Sequence, residues 1–113
     1  MCGKNELNII LQELVKAYRG VYGEDIVKII LYGSYARGDN TNDSDIDVVA
    51  IVKGERADLQ RKLKEIWNLS SDLELEYETI LSPTVIPYEE YMRYKDDLPY
   101  YSNIEKEGVS IVA

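Results

Sequence analysis

Two apolar runs rich in β-branched residues face each other across a polar break, and that arrangement restricts what this chain can build. The first, "DIVKIILYG", ends at Gly33; the second, "DIDVVAIV", opens at Asp45. Runs of this length and character predict strands mostly buried in a sheet. Between them, "GSYARG" reads as a turn entering a short helix and "GDNTNDS" as a loop of small and polar residues. The second strand carries two carboxylates at its mouth. Asp45 and Asp47 are two residues apart, so on a strand their side chains share one face. Like charges held that close repel each other, and a cation is expected between them.

The rest of the chain is helix and strand around this pair. Leu7, Ile10, Leu11, Leu14, Val15 and Tyr18 fall at helical spacing over about Asn5 to Tyr22, with Gly20 and Gly23 bracketing the helix end. The segment "ERADLQRKLKEIWNL", from residue 55, gives an amphipathic helix with Leu59, Leu63, Ile66 and Trp67 turned inward. Next, "LELEYETILS" alternates apolar and acidic residues at period two, which predicts a strand with one wet face. Pro83 and Pro87 then mark a loop. A short helix follows from Tyr88 to about Lys95, Pro99 opens a last helix through Glu107, and Gly108 leads into a final strand, "VSIVA". The expected fold class is α+β (mixed α/β): a small mixed sheet flanked by helices, in a single domain over residues 1–113.

Charge and missing residue types narrow the chemistry. With 21 acidic against 13 basic residues the net charge is −8. That balance lacks the basic footprint of extensive nucleic-acid binding and suits divalent cations or a basic protein partner. Histidine is absent, which removes His-based triads and His-ligated zinc and leaves carboxylates, Lys and Tyr. The single cysteine, Cys2, cannot form a disulfide within the chain, in keeping with a reducing cytoplasmic setting. No apolar run approaches the ~20 residues that span a bilayer, and no signal-peptide pattern opens the sequence. The ten tyrosines, with no phenylalanine beside them, suit half-buried positions or a partner surface.

Gly33 permits a tight bend and close backbone approach to a ligand. Ser34 offers a hydroxyl where a helix begins, a place that favours phosphate, and Arg37 adds a positive fork. Two carboxylates on one strand face suit Mg²⁺, which takes one or two of them together with substrate phosphates and water. Asp39 and Asp43 read as turn formers, Lys53 as a strand-end charge, and Arg56, Arg61, Lys62 and Lys64 as a solvated helix face. Tyr100 and Tyr101 can touch a partner or an adenine, core packing being the simpler role. Glu107-Gly108 reads as a helix end closed through the glycine.

The stretch "GSYARGDNTNDSDID" resembles the signature of the DNA polymerase beta-like nucleotidyltransferase superfamily: Gly-Ser, a gap of about ten residues, then Asp-x-Asp. "GSYARG…SDIDVV" and the tail "YYSNIEKEGVSIVA" are similar to the minimal nucleotidyltransferases of prokaryotic HEPN/MNT toxin–antitoxin pairs. That resemblance implies two-metal transfer of a nucleoside monophosphate from an NTP to a hydroxyl. Asp45 and Asp47 would hold Mg²⁺, Gly33 and Ser34 would grip the triphosphate, and a third acid on the neighbouring strand would activate the acceptor. Glu74, Glu76 and Glu78 share one parity in "LELEYETILS". Glu76, central on that predicted strand, is the expected catalytic and metal-binding third acid, with Glu78 as alternative; a merely exposed sheet face would leave the site without one.

The expected function is that of a cytoplasmic type VII-like antitoxin that moves AMP from ATP to a tyrosine of a HEPN ribonuclease toxin, working as a homo- or hetero-oligomer. Two rivals are a small-molecule (aminoglycoside-type) nucleotidyltransferase and a non-catalytic antitoxin acting by contact.

Overall fold

The computed structural model describes residues 4–41 and 44–112; Cys2 and Asp43 lie outside them. Its centre is β2 (Ile46–Val52), which runs antiparallel to β1 (Ile26–Tyr32) and parallel to β3 (Leu81–Pro87). β4 (Val109–Val112) lies antiparallel on the far side of β1, giving the order β3-β2-β1-β4. Both faces of this mixed sheet are covered. On one, α1 (Lys4–Tyr22) and α3 (Arg56–Tyr77) pack Ile10, Leu14, Leu63 and Ile66 against Ile29, Val48, Ala50 and Val85. On the other, α4 (Tyr88–Tyr94) and α5 (Pro99–Glu107) bring Tyr91, Tyr101 and Ile104 onto Ile30, Val49, Ile51 and Ile86. The parity of each strand assigns its residues to these two layers, and burying each aliphatic side chain contributes about 1.5–3 kcal/mol. The first helix, both central strands, the two C-terminal helices and the last strand stand where the sequence places them. Tyr18 goes deeper than a rim residue. It is fully buried, and its hydroxyl donates to the Thr84 carbonyl at 2.8 Å.

The predicted strand over "LELEYETILS" is corrected by the structure. Residues through Tyr77 belong to α3, and only Leu81 and Ser82 of that segment are strand. Two periodicities compete here. Leu59, Leu63, Ile66, Ser70 and Leu73 are the buried positions of the helix, spaced four, three, four and three. The buried serine interrupts the apolar signal, so the period-two alternation beyond it stands out. A strand would have to bury Leu73 and Leu75 together, whereas Leu73 is buried and Leu75 is 83% exposed. Leucine and glutamate are also strong helix formers, and glutamate is poor in strands. Glu78 ends the helix in the left-handed conformation with φ 51°. Trp67, expected inward, sits on the helix flank and donates Nε1–H to the Pro83 carbonyl at 3.1 Å.

The loop expected at Pro83 and Pro87 is likewise a strand. β3 is the sheet's edge, and in the parallel ladder alternate residues turn their backbone outward. Both prolines have the outward parity, shared with Val85. The Pro83 and Val85 carbonyls are taken by Trp67 and by Gln60 from α3. A residue without an N–H loses nothing at such positions.

Gly108 closes α5, its N–H bonded to the Ile104 carbonyl at 2.9 Å. The helix end is closed at the glycine as expected, but its φ of −69° is open to any residue, and what calls for glycine there is packing. A Cβ there would press into the Ile30 Cγ2 methyl and come within 2.5 Å of the Ile104 carbonyl oxygen. Gly108→Ala should therefore lower the stability of the whole domain by about 1–3 kcal/mol, read as a fall in the urea midpoint with unchanged slope.

Candidate active site

Tyr32 ends β1 and pairs directly with Asp47. The chain then turns at Gly33 and enters α2 (Ser34–Arg37). Gly33 has φ 80° and ψ −154°, a conformation that belongs to glycine almost alone. It is also crowded: a Cβ at this position would lie 2.6 Å from Asp47 Oδ2. The missing side chain is therefore what lets the Asp47 carboxylate lie against the turn. Ala36 and Tyr35 pack partly into the core and hold α2 down. Gly38 continues the chain in the left-handed region at φ 83°, and the exposed hydroxyl of Ser44 accepts from the Thr41 N–H at 2.8 Å before β2 begins.

Asp47 is half-buried and shares the α4/α5 side of the sheet with Val49 and Ile51. Asp45, exposed, stands just before β2. Burial raises the Asp47 carboxyl above the usual carboxylate range, and the charge of Asp45 raises it further. The pair that the sequence predicts is thus electrostatically coupled, and a cation between the two would relieve both effects. Ser34 is half-buried at the start of α2, beside Gly33. Arg37 is exposed and bridges Asp39, at 3.3 Å from Nε, and Glu107, at 3.6 Å from a terminal nitrogen. It ties the turn to the end of α5, a link between segments about 70 residues apart that no local pattern announces.

Glu76 does not lie on a strand. It is exposed near the C-terminal end of α3, Glu78 is the residue that stops that helix, and the Glu74 carboxylate accepts from the Leu81 N–H at 2.9 Å. The ground for choosing Glu76, a shared strand face with the aspartates, is therefore gone. The residue of β3 that pairs with Asp47 is Ser82, and Thr84 follows two positions along. Among the described residues no group of three acidic, Cys or His side chains is arranged to hold a metal. The donor set that is present, two hard carboxylates beside the Gly33 turn, fits one Mg²⁺ completed by substrate phosphates and water. Lys53 lies at the other end of β2, about 20 Å from Asp47 at the usual rise per residue, so it stays a strand-end charge.

Two predictions follow from this geometry. Gly33→Ala should cost about 1–3 kcal/mol in backbone strain alone, and it should displace Asp47 and weaken divalent-ion binding, measured by calorimetry. For Asp47 the sign is fixed by its raised folded-state value. The folded chain binds more protons than the unfolded one between the unfolded carboxyl value, about 3.9, and the raised one, so stability falls as pH rises through that window. Asp47→Asn should consequently raise the melting temperature at pH 7 in metal-free buffer, and the gain should vanish below about pH 3.9.

The chain is similar to known proteins in sequence and in fold. The family model described as "Nucleotidyltransferase domain" matches residues 7–111. A relative from Methanocaldococcus jannaschii named "Putative protein adenylyltransferase MJ0604" is 33% identical over 98 residues, 87% of this chain and 90% of its own. A second from the same organism, "Putative protein adenylyltransferase MJ0141", is 36% identical over 80 residues, 71% of this chain and 79% of its own. Among solved structures, a toxin–antitoxin with AMP-PNP matches at TM-score 0.56 and 15% identity, over 90% of this chain and 72% of that one. A mutant of the toxin–antitoxin MntA-HpeT matches at TM-score 0.53 and 17% identity, over 91% and 72%. At those identities the structures speak for a shared fold, while the family model spans nearly the whole sequence. This chain belongs to the nucleotidyltransferase domain family and is a nucleotidyltransferase.

Proposed function

We propose that the chain transfers AMP from ATP to a protein hydroxyl, and that the acceptor is a tyrosine of a HEPN ribonuclease toxin for which it is the cytoplasmic antitoxin. The observation that carries this reading is the seating of Asp47 against Gly33. It sets a carboxylate oxygen, suited to a hard cation, beside the turn that would receive the triphosphate. The protein acceptor is supported by the names of the two relatives, each matched over most of its length. The toxin partner is supported by the fold shared with the toxin–antitoxin structures, and the net charge of −8 suits a basic ribonuclease.

In this scheme the Gly33–Ser34 turn binds the triphosphate, and Arg37 exchanges its exposed partners Asp39 and Glu107 for a phosphate oxygen. Asp45 and Asp47 would hold Mg²⁺, which would offset the charge of the triphosphate and of the departing pyrophosphate. The acceptor oxygen bonds to the α-phosphorus and gives its proton to solvent water, while the bond from that phosphorus to the pyrophosphate oxygen breaks and pyrophosphate leaves. Glu76 has no role in the scheme. The lack of a third acid beside the pair among the described residues favours a second reading, an antitoxin that inhibits by contact without transfer.

Incubation with labelled ATP, Mg²⁺ and the product of the neighbouring gene separates the two readings. Label should appear on a tyrosine of that partner. Asp45→Asn/Asp47→Asn should reduce it by at least roughly 100-fold, the kinetic equivalent of several kcal/mol of lost charge stabilisation. Tight binding of the partner with no label would instead establish inhibition by contact.

A further inference from the structure

Tyr100 and Tyr101 are neighbours in sequence, yet the fold gives them different tasks. Tyr101 is 8% exposed and packs in the core under α5, 6.0 Å ring to ring from Tyr91. Tyr100 is 47% exposed. Its ring meets Tyr32 edge-on, with centroids 5.9 Å apart and planes at 83°, and Tyr32 is the residue paired with Asp47. The same ring also packs on Tyr101, centroids 5.8 Å apart, and its hydroxyl lies within electrostatic reach of Asp47. A large ring is thus held by two aromatic contacts, beside Asp47, with much of its surface open to solvent.

Core packing does not account for that exposure. A ring held rigidly at the edge of a polar site suits a flat ligand. If the triphosphate is bound at Gly33 and Ser34, the nucleoside it carries has to find a surface close by.

We propose that Tyr100 is the platform on which the base of the donor nucleotide stacks. This rests on the nucleotide site described above. Stacking on an aromatic side chain contributes about 1–3 kcal/mol per base and is tolerant of base identity, because every base has a π-face. The platform therefore strengthens binding of purine nucleotides in general and does not select adenine from guanine.

The test is calorimetric binding of ATP, GTP and inorganic tripolyphosphate, each with Mg²⁺, to wild type, Tyr100→Phe and Tyr100→Ala, with a thermal melt of each variant to verify folding. Tyr100→Ala should weaken ATP and GTP by roughly 5- to 150-fold, the equivalent of that stacking energy, and leave tripolyphosphate unchanged. Tyr100→Phe should keep most of the nucleotide affinity. Unchanged ATP binding in a folded Tyr100→Ala, or equal losses for ATP and tripolyphosphate, would overturn the platform while leaving the nucleotide site standing. A wild type that binds none of the three would overturn the site and the platform together.

Discussion

β2 is buried on both faces from Val48 to Val52, and everything else in the molecule is arranged around that fact. A strand closed in by helices above and below can offer charge only at its ends, because an isolated charge in its middle would be prohibitively costly to desolvate. The aspartates stand at its beginning, where the sheet opens next to the turn after β1. β1 and β3 flank that opening, so Tyr32, Asp47 and Ser82 form one row across the sheet. The position of the chemistry follows from the packing of the core.

The contact between Gly33 and Asp47 gives that row its character. A backbone conformation open almost only to glycine and a partly desolvated carboxylate occupy the same small volume. Each is unfavourable alone, and both are the sort of local cost that persists where a ligand compensates it. The free Asp47 carboxylate carries a burial penalty that a cation beside it would remove.

Most of this was legible in the sequence because local chemistry and global fold agree. The β-branched runs are strands, Gly33 makes the tight bend after the first of them, and Asp47 sits at the mouth of β2 with Asp45 just before it. The errors came from segments where two periods compete or where edge position matters. Ser70 is buried in α3, bonded to the Ile66 carbonyl, and so hides the helical repeat that would have carried the reading to Tyr77. Pro83 and Pro87 look like strand breakers until it is known that β3 is an edge. The contact between Tyr32 and Tyr100 was beyond reach for another reason. Tyr32 and Tyr100 meet only because α5 returns across the sheet, and a contact between residues so far apart in sequence leaves no local trace.

The prolines of β3 bear on how this molecule can associate. An open sheet edge is a template for pairing with another chain. On the β3 side two outward positions lack an N–H, and the carbonyls of Pro83 and Val85 are already occupied by Trp67 and Gln60. Lengthening the sheet by main-chain pairing is thereby blocked at this margin. Among the described residues β4, short and half exposed, is the other border of the four-stranded sheet. An assembly that continues the sheet would grow from β4, and in one direction only.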